Sequence, residues 1–417
     1  MRHIQSSIAT RTDWLSDGPL APHGDAYKKY LTGRGYAAST IGSCMRSVAH
    51  FAQWLEGADR IASCIDDSVV TEFLDIHLPK CRCTGPICRH RKSLSAALGH
   101  LLVVLRTRGV VAAPKVKTTP ADVELLRFDK YMDHVRGLAP KTRRAALRIV
   151  GRLLAAQFGD GPVDVTAINP EGVRAFFAQQ SEFYSKPANA GVVIAALRGY
   201  FRYRISRGNA MHTLIGVLSY PANWQLSSLP KTLTPEDVEQ LLGSLGQTGR
   251  SMRRSDAIVR CALDLGLRSG EVARLSLDDI NWHAGTITLR HTKGCREDVL
   301  PLPATTGKAI VAYLKEERPT TSLRALFLRH NAPLDRPAGP DLVRKTIRQA
   351  FARAGLPYTR SHLLRHTMAN RLLAGGSSLK EVADVLRHRS LNTTMIYAKL
   401  DSRKLTEVAL PWPGSLS

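Results

Sequence analysis

"SHLLRHTMANRLLAGG" (residues 361–376) sets His362, Arg365 and His366 at the head of an otherwise apolar segment. Leu364, Met368, Leu372 and Leu373 recur at three- and four-residue spacing, which predicts a helix, and Gly375-Gly376 predicts its end. His362 and Arg365 stand three apart, so they share a face near the helix start, where the backbone dipole favours an anion. Taken alone, the segment is better described as a core helix with a solvated polar edge. The surrounding chain has to decide.

Upstream, "DAIVRCALDLGLRSGEVARLSLDDINW" (256–282) predicts a helix, a turn at Gly266-Leu267 and a second helix. Arg268 falls in the turn and Glu271 follows it. "GTITLRHTKGCREDVLPLP" (285–303) predicts a β-hairpin: Ile287 and Leu289 alternate, Thr292-Lys293-Gly294 forms the turn, and a second strand runs through Val299 and Leu300. Downstream lies "SSLKEVADVLRHRSLNTTMIYAKLD" (377–401), in which Ser378 and Glu381 have capping-box spacing. His388 falls just past that helix, and Tyr397 lies on the short helix after it. Singly, these features are ordinary: a solvated lysine, an ion pair, a core tyrosine.

Together and in this order, "LGLRSGEV", "HTKG", "HLLRHT", "LRHRS" and "TTMIYAKLD" resemble the catalytic domain of the tyrosine recombinases, the phage integrase family. The resemblance implies a mainly α fold with a small β-hairpin or sheet. Tandem helical (SAM-like) core-binding bundles would precede a mixed α+β catalytic domain at 226–417. It implies an active site of Arg268, Lys293, His362, Arg365, His388 and Tyr397, with Glu271 supporting Arg268 or its neighbours. Tyr397 would attack the scissile phosphate and leave a 3′-phosphotyrosyl link. Arg268 and Arg365 would hold the phosphate oxygens, and Lys293 would protonate the 5′-hydroxyl. His362 would assist proton transfer at Tyr397, and His388 would hydrogen-bond the phosphate. Arginines can supply the charge that magnesium supplies in nucleases, and the covalent link stores the bond energy, so no metal, ATP or other cofactor is expected. One position departs from the pattern: the family often has Leu-Gly-His where this chain has Leu386-Arg387-His388. Tyr358 is a weaker rival for the nucleophile because it lacks the matching context.

The first half of the chain reads as a duplication. "YKKYLTGRGYAASTIGSCMRSVAHFAQWL" (27–55) resembles "FDKYMDHVRGLAPKTRRAALRIVGRLLAAQF" (128–158), and "AALGHLLVVLRTRG" (96–109) resembles "AALRGYFRYRISRG" (195–208). A repeat of about one hundred residues is the simplest account. Linkers at 110–123 and 219–238 then divide the chain into an N-terminal helical DNA-binding unit (1–115), a core-binding domain (116–222) and the catalytic domain. Thr40, Lys141 and Thr142 sit at helix starts, where they can cap amides or meet a phosphate. With Arg143, Arg144, Arg148, Arg198 and Arg202 they form the expected DNA-binding set. Tyr200, Phe201 and Tyr203, interleaved with arginines, are expected in the core.

Composition agrees with a nucleic-acid partner. The chain has 417 residues, with 59 Lys+Arg against 35 Asp+Glu, for a net charge of +24. Double-stranded DNA is the expected partner, with a homotetramer on synapsed DNA implied by the family resemblance. The start lacks the apolar core of a signal peptide and no apolar run is long enough to span a bilayer, so a cytoplasmic, nucleoid-associated protein is expected. Seven cysteines, an odd number, argue for reduced thiols. Within the Cys-rich loop 77–90, "HLPKCRCTGPICRH", Cys81, Cys83, Cys88 and His90, with His77, offer zinc-type donors. Their spacing is not that of a familiar finger, so the favoured expectation is no metal and a reduced, basic, DNA-facing loop. Three functional readings follow: an integrating or transposing recombinase of an insertion element; a chromosome-dimer resolvase or type IB topoisomerase-like enzyme; and a DNA-binding partner in a multi-recombinase set. The first is favoured.

Overall fold

The computed structural model describes residues 18–83, 87–113, 118–182, 187–220, 230–245, 251–290, 297–358, 360–388 and 394–400. The first bundle comprises α1 (Gly24–Gly33), α2 (Ala38–Gly57), α3 (Asp67–Glu72), a π-helical turn (Phe73–His77), α4 (Leu78–Lys80) and α5 (Arg91–Thr107). The second comprises α6 (Pro120–Lys130), α7 (Pro140–Phe158), α8 (Pro170–Glu182), α9 (Pro187–Ser206) and α10 (His212–Val217).

The two bundles share a plan. In each, a helix and a tight turn lead to a long helix whose preceding residue, Ala37 or Ala139, is extended and offers no side-chain cap. A 3-10 turn follows, and the Asp beside it, Asp66 or Asp164, accepts backbone amides. A second long helix then ends at Gly109 or Gly208, both at positive φ. Each bundle has its own apolar core. Phe51, Phe73, Leu98 and Leu105 centre the first; Phe128, Leu153, Tyr200 and Phe201 centre the second, and Tyr203 is buried there too.

The last part opens with α11 (Pro235–Gly243), capped reciprocally by Thr234 and Asp237. α12 (Met252–Leu263) is its central helix, with Ala257 to Leu263 almost wholly buried except Arg260. α12 packs against α14 (Ala304–Glu316), α15 (Pro340–Arg353) and α16 (His362–Ala374). A three-stranded antiparallel sheet of β1 (Ile280–Asn281), β2 (Thr286–Leu289) and β3 (Asp298–Pro301) has the order β1-β2-β3. Ile287 pairs with both Ile280 and Leu300, and Ile287 and Leu289 face the core as their alternation requires. α13 (Ser269–Val272), α17 (Leu379–Val385) and a terminal 3-10 helix (Met395–Leu400) complete it.

By packing, the chain falls into two compact units, Met1–Pro114 with Ser228–Ser417, and Lys115–Ser227. Within the first unit, the Leu334 amide donates to the Arg34 carbonyl at 3.0 Å, and the Arg34 guanidinium pairs with Asp335 at 3.4 Å. No helix among the described residues is long and apolar enough to cross a membrane.

Candidate active site

The local chemistry of 361–376 builds α16 as its apolar spacing demands. Leu363, Leu364, Ala369 and Leu373 are buried, Gly375 ends the helix and Gly376 takes φ +92°. His362 is its first residue and stands exposed; Arg365, one turn on, is buried. The Arg365 guanidinium donates to the carbonyls of Gly266 and Leu386, so it bridges the turn before α13 to the end of α17. Gly266 has φ +57°, and a Cβ there would lie 2.6 Å from Met368 Sδ and 2.9 Å from Leu386 Cδ2. Conformation and space both demand glycine. Gly266→Ala is expected to destabilise the protein by about 2 kcal/mol. A lower thermal midpoint than wild type checks this.

Arg268 occupies the turn as its sequence position suggests. Its amide and guanidinium both donate to Glu271, at 2.9 and 2.7 Å. Glu271 is also paired with Arg387, at 3.0 Å, with both side chains buried. Burial alone would raise the Glu271 pKa; the Arg268 amide and the Arg387 and Arg268 guanidiniums outweigh it and hold the carboxyl below its usual range. The arrangement is rich in cations. Burial, then Arg268 and Arg387, press the Arg365 pKa down to about 9, still charged at neutral pH, and Glu271 only partly opposes them. A site with this imbalance is stabilised by an added anion, and paired guanidiniums suit phosphate oxygens.

Tyr397 lies on the terminal 3-10 helix and is 1% exposed, packed with Ala369, Leu373, Val382 and Leu386. Its hydroxyl is 2.7 Å from His366 Nδ1. Burial raises the Tyr397 pKa to about 12, against the opposing pull of Arg365 and Arg268, so the phenol is protonated at neutral pH. His366 is desolvated, and His362 and Arg365 disfavour its charge further, placing its pKa at about 4. The neutral ring can accept the Tyr397 proton in the tautomer protonated at Nε2. His388 is likewise lowered to about 4, by burial and then by Arg365 and Arg268. Its Nδ1 is 2.7 Å from Thr394 Oγ1, and its ring stacks beside Tyr397 at 6.4 Å.

Of the expected set, the structure gathers Arg268, Arg365, His388, Tyr397 and Glu271 around one another, with His362 one helix turn before His366. Lys293 and its hairpin turn lie outside the described residues. Sequence reasoning missed two residues. It gave the partner role at Tyr397 to His362, whereas His366 makes the hydrogen bond; a helical spacing cannot tell which of two neighbouring histidines meets a side chain 31 positions away. It noted Arg387 only as a departure from the family's glycine, whereas Arg387 has a left-handed backbone, φ +55°, and makes a buried ion pair with Glu271. Tyr358 packs edge-on against Phe351 at the main core.

In the second bundle, Lys141, Thr142, Arg144, Arg148 and Arg202 are exposed. Arg143 instead pairs with Asp129 and Asp133, and Arg198 donates to the Ile215 carbonyl and lies over Tyr220, so both are committed within the chain. Thr40 is exposed in the first turn of α2 without capping it.

The description "Phage integrase family" matches residues 231–404. Over 95% of its length this chain is 33% identical to y4rA of Sinorhizobium fredii, a protein named as an integrase/recombinase, and the match spans 96% of that protein. The chain belongs to the phage integrase family of tyrosine recombinases. Members of this family cut and rejoin DNA. A second relative, tyrosine recombinase XerD of Listeria monocytogenes, is 31% identical over 57% of this chain and 79% of its own. Two solved structures share the tyrosine-recombinase fold. The site-specific recombinase XerH, bound to a palindromic difH substrate, has a TM-score of 0.52 and 20% identity, over 69% of this chain and 86% of that one. A lambda integrase (75–356) dimer bound to a COC′ core site has a TM-score of 0.50 and 15% identity, over 70% and 97%.

Proposed function

We propose that this recombinase cuts one DNA strand at a time through Tyr397, in the service of integration or transposition of a mobile element. One observation carries the chemistry: the Tyr397 hydroxyl lies 2.7 Å from His366 Nδ1, with the Arg365 and Arg268 guanidiniums close enough to oppose the rise in its pKa. Arg268 and Arg365 bind the scissile phosphate and stabilise the charge of its transition state, while His388 hydrogen-bonds a phosphate oxygen. Glu271 and Arg387 are positioning residues that hold Arg268. His366 accepts the proton as the Tyr397 oxygen bonds to phosphorus, and Lys293 delivers a proton to the departing 5′-oxygen. The product is a 3′-phosphotyrosyl bond, and attack by a 5′-hydroxyl reverses the step. Separate apolar cores in the first bundle, in the second bundle and around α12 support an N-terminal helical unit, a core-binding domain and a catalytic domain. Exposed Lys141, Thr142, Arg144, Arg148 and Arg202 meet the DNA backbone, and four protomers assemble on two duplexes. Support for the integration reading over a dimer resolvase comes from coverage: a relative matching 95% of this chain is named an integrase/recombinase, whereas the XerD and XerC matches cover between 57% and 67% of it.

The test uses duplexes selected from a randomised pool by the wild-type protein and then nicked to trap the cut state. A denaturant-stable protein–DNA adduct is expected in magnesium-free buffer. If none forms on any nicked duplex that binds, the proposed reaction is wrong. In the same assay His366→Gln is expected to slow adduct formation by about 10²- to 10⁴-fold with DNA affinity kept. Because the His366 pKa is lowered to about 4, the wild-type rate should hold from neutral pH downwards and fall only as pH approaches that value. A larger loss in His362→Gln than in His366→Gln would return the proton-accepting role to His362.

A further inference from the structure

We infer that the first bundle holds a zinc ion between His50, His77, Cys81 and Cys83. One imidazole nitrogen from each histidine and both thiol sulfurs lie within 4.8 Å of one another. Cys81 Sγ is 3.2 Å from His50 Nε2, and Cys83 Sγ is 3.6 Å from His77 Nε2. A zinc ion roughly 2.3 Å from sulfur and 2.0–2.1 Å from nitrogen separates tetrahedral ligands by about 3.3–3.8 Å. The two measured edges straddle the short end of that range, and the longest separation needs to close by only about 1 Å. Two thiolates and two imidazoles in a tetrahedron are a donor set that favours zinc.

A second, independent feature concerns how His50 is held. Its ring is wholly buried, and Nδ1 lies 3.1 Å from the carbonyl oxygen of Cys88. A carbonyl only accepts, so Nδ1 carries the proton and Nε2 presents a lone pair towards the thiols. Metal-bound histidines are oriented by this kind of outer hydrogen bond. His77 closes the π-helical turn, stacks on Phe73 at 5.2 Å and meets the His50 ring at 5.7 Å. The widened turn brings its ring to the same side as His50.

The set differs from the one the cysteine spacing suggested. Cys88 contributes its carbonyl to His50, and His90 turns to Ser93, 3.0 Å from its hydroxyl. His50, on α2 and 31 residues before Cys81, takes the vacated position. The ion ties α2, the π turn and the arm after α4 together, and none of its ligands belongs to the arginine cluster.

The experiment uses the untagged full-length chain expressed in zinc-supplied medium. About one zinc per chain is expected. Cobalt in its place should give the visible absorption and thiolate charge-transfer of a tetrahedral site. Chelation of the native protein should expose two more thiols to titration. A Cys81→Ser, Cys83→Ser double variant should retain less than about a tenth of the zinc, whereas Cys88→Ser and His90→Ala should retain it fully. Folded wild type with less than about a tenth of an equivalent and no cobalt spectrum would overturn the inference. So would zinc that persists in the double variant, or that is lost from Cys88→Ser.

Discussion

Tyr397→Phe is expected to bind DNA as the wild type does and to form no covalent adduct at all. The ring is packed among Ala369, Leu373, Val382 and Leu386, and phenylalanine keeps those contacts. Only the hydroxyl is lost, and with it one hydrogen bond to His366. Removing a neutral hydrogen bond costs about 1 kcal/mol, and the His366 side chain is only partly buried. Folding should therefore survive, so loss of the adduct reports chemistry. The measurement is gel retardation beside denaturing electrophoresis of the trapped nicked duplex. A denaturant-stable adduct in the variant would transfer the nucleophile to another residue, and Tyr358→Phe would then be the next variant to make.

Arg365→Met should lower adduct formation by about 10³-fold while leaving the thermal midpoint of the DNA-free protein little changed. Two terms oppose each other in stability. Loss of the guanidinium leaves the Gly266 and Leu386 carbonyls without their donors, at about 1–3 kcal/mol each. Against that, burial and then the Arg268 and Arg387 guanidiniums disfavour the Arg365 charge, a cost that methionine escapes while filling most of the volume. Sulfate should raise the thermal midpoint of wild type more than that of the variant, because the cluster then loses one of its anion-binding forks. Equal sulfate stabilisation of both proteins would show that this cluster does not bind the anion.

Local sequence carried the elements well. The apolar spacing of 361–376 became α16, the alternation of Ile287 and Leu289 became a strand facing the core, and Ser378 with Glu381 formed the capping box that starts α17. Each depends on residues within one or two turns of chain, so periodicity contains it. Which arginines stay free of intrachain partners was less legible. Arg143 and Arg198 share helices with Arg144 and Arg202, yet Asp129, Asp133 and the Ile215 carbonyl claim them. Which arginine is left for a partner depends on what a neighbouring helix presents, and spacing along one helix does not record that.

By itself, the sequence determined the helix-rich class, the net basic charge and the family motifs around Arg268, Arg365 and Tyr397. These follow from hydrophobic period, composition and short contiguous strings. Only the tertiary structure decided that His366 meets Tyr397, that Arg387 shares Glu271 with Arg268, and that His50 joins Cys81 and Cys83. Every one of those contacts joins residues more than thirty positions apart, except the Arg268–Glu271 bond itself. Donors and acceptors are selected by distance and direction in space, and a buried polar group takes whichever partner the packed core brings within about 3 Å.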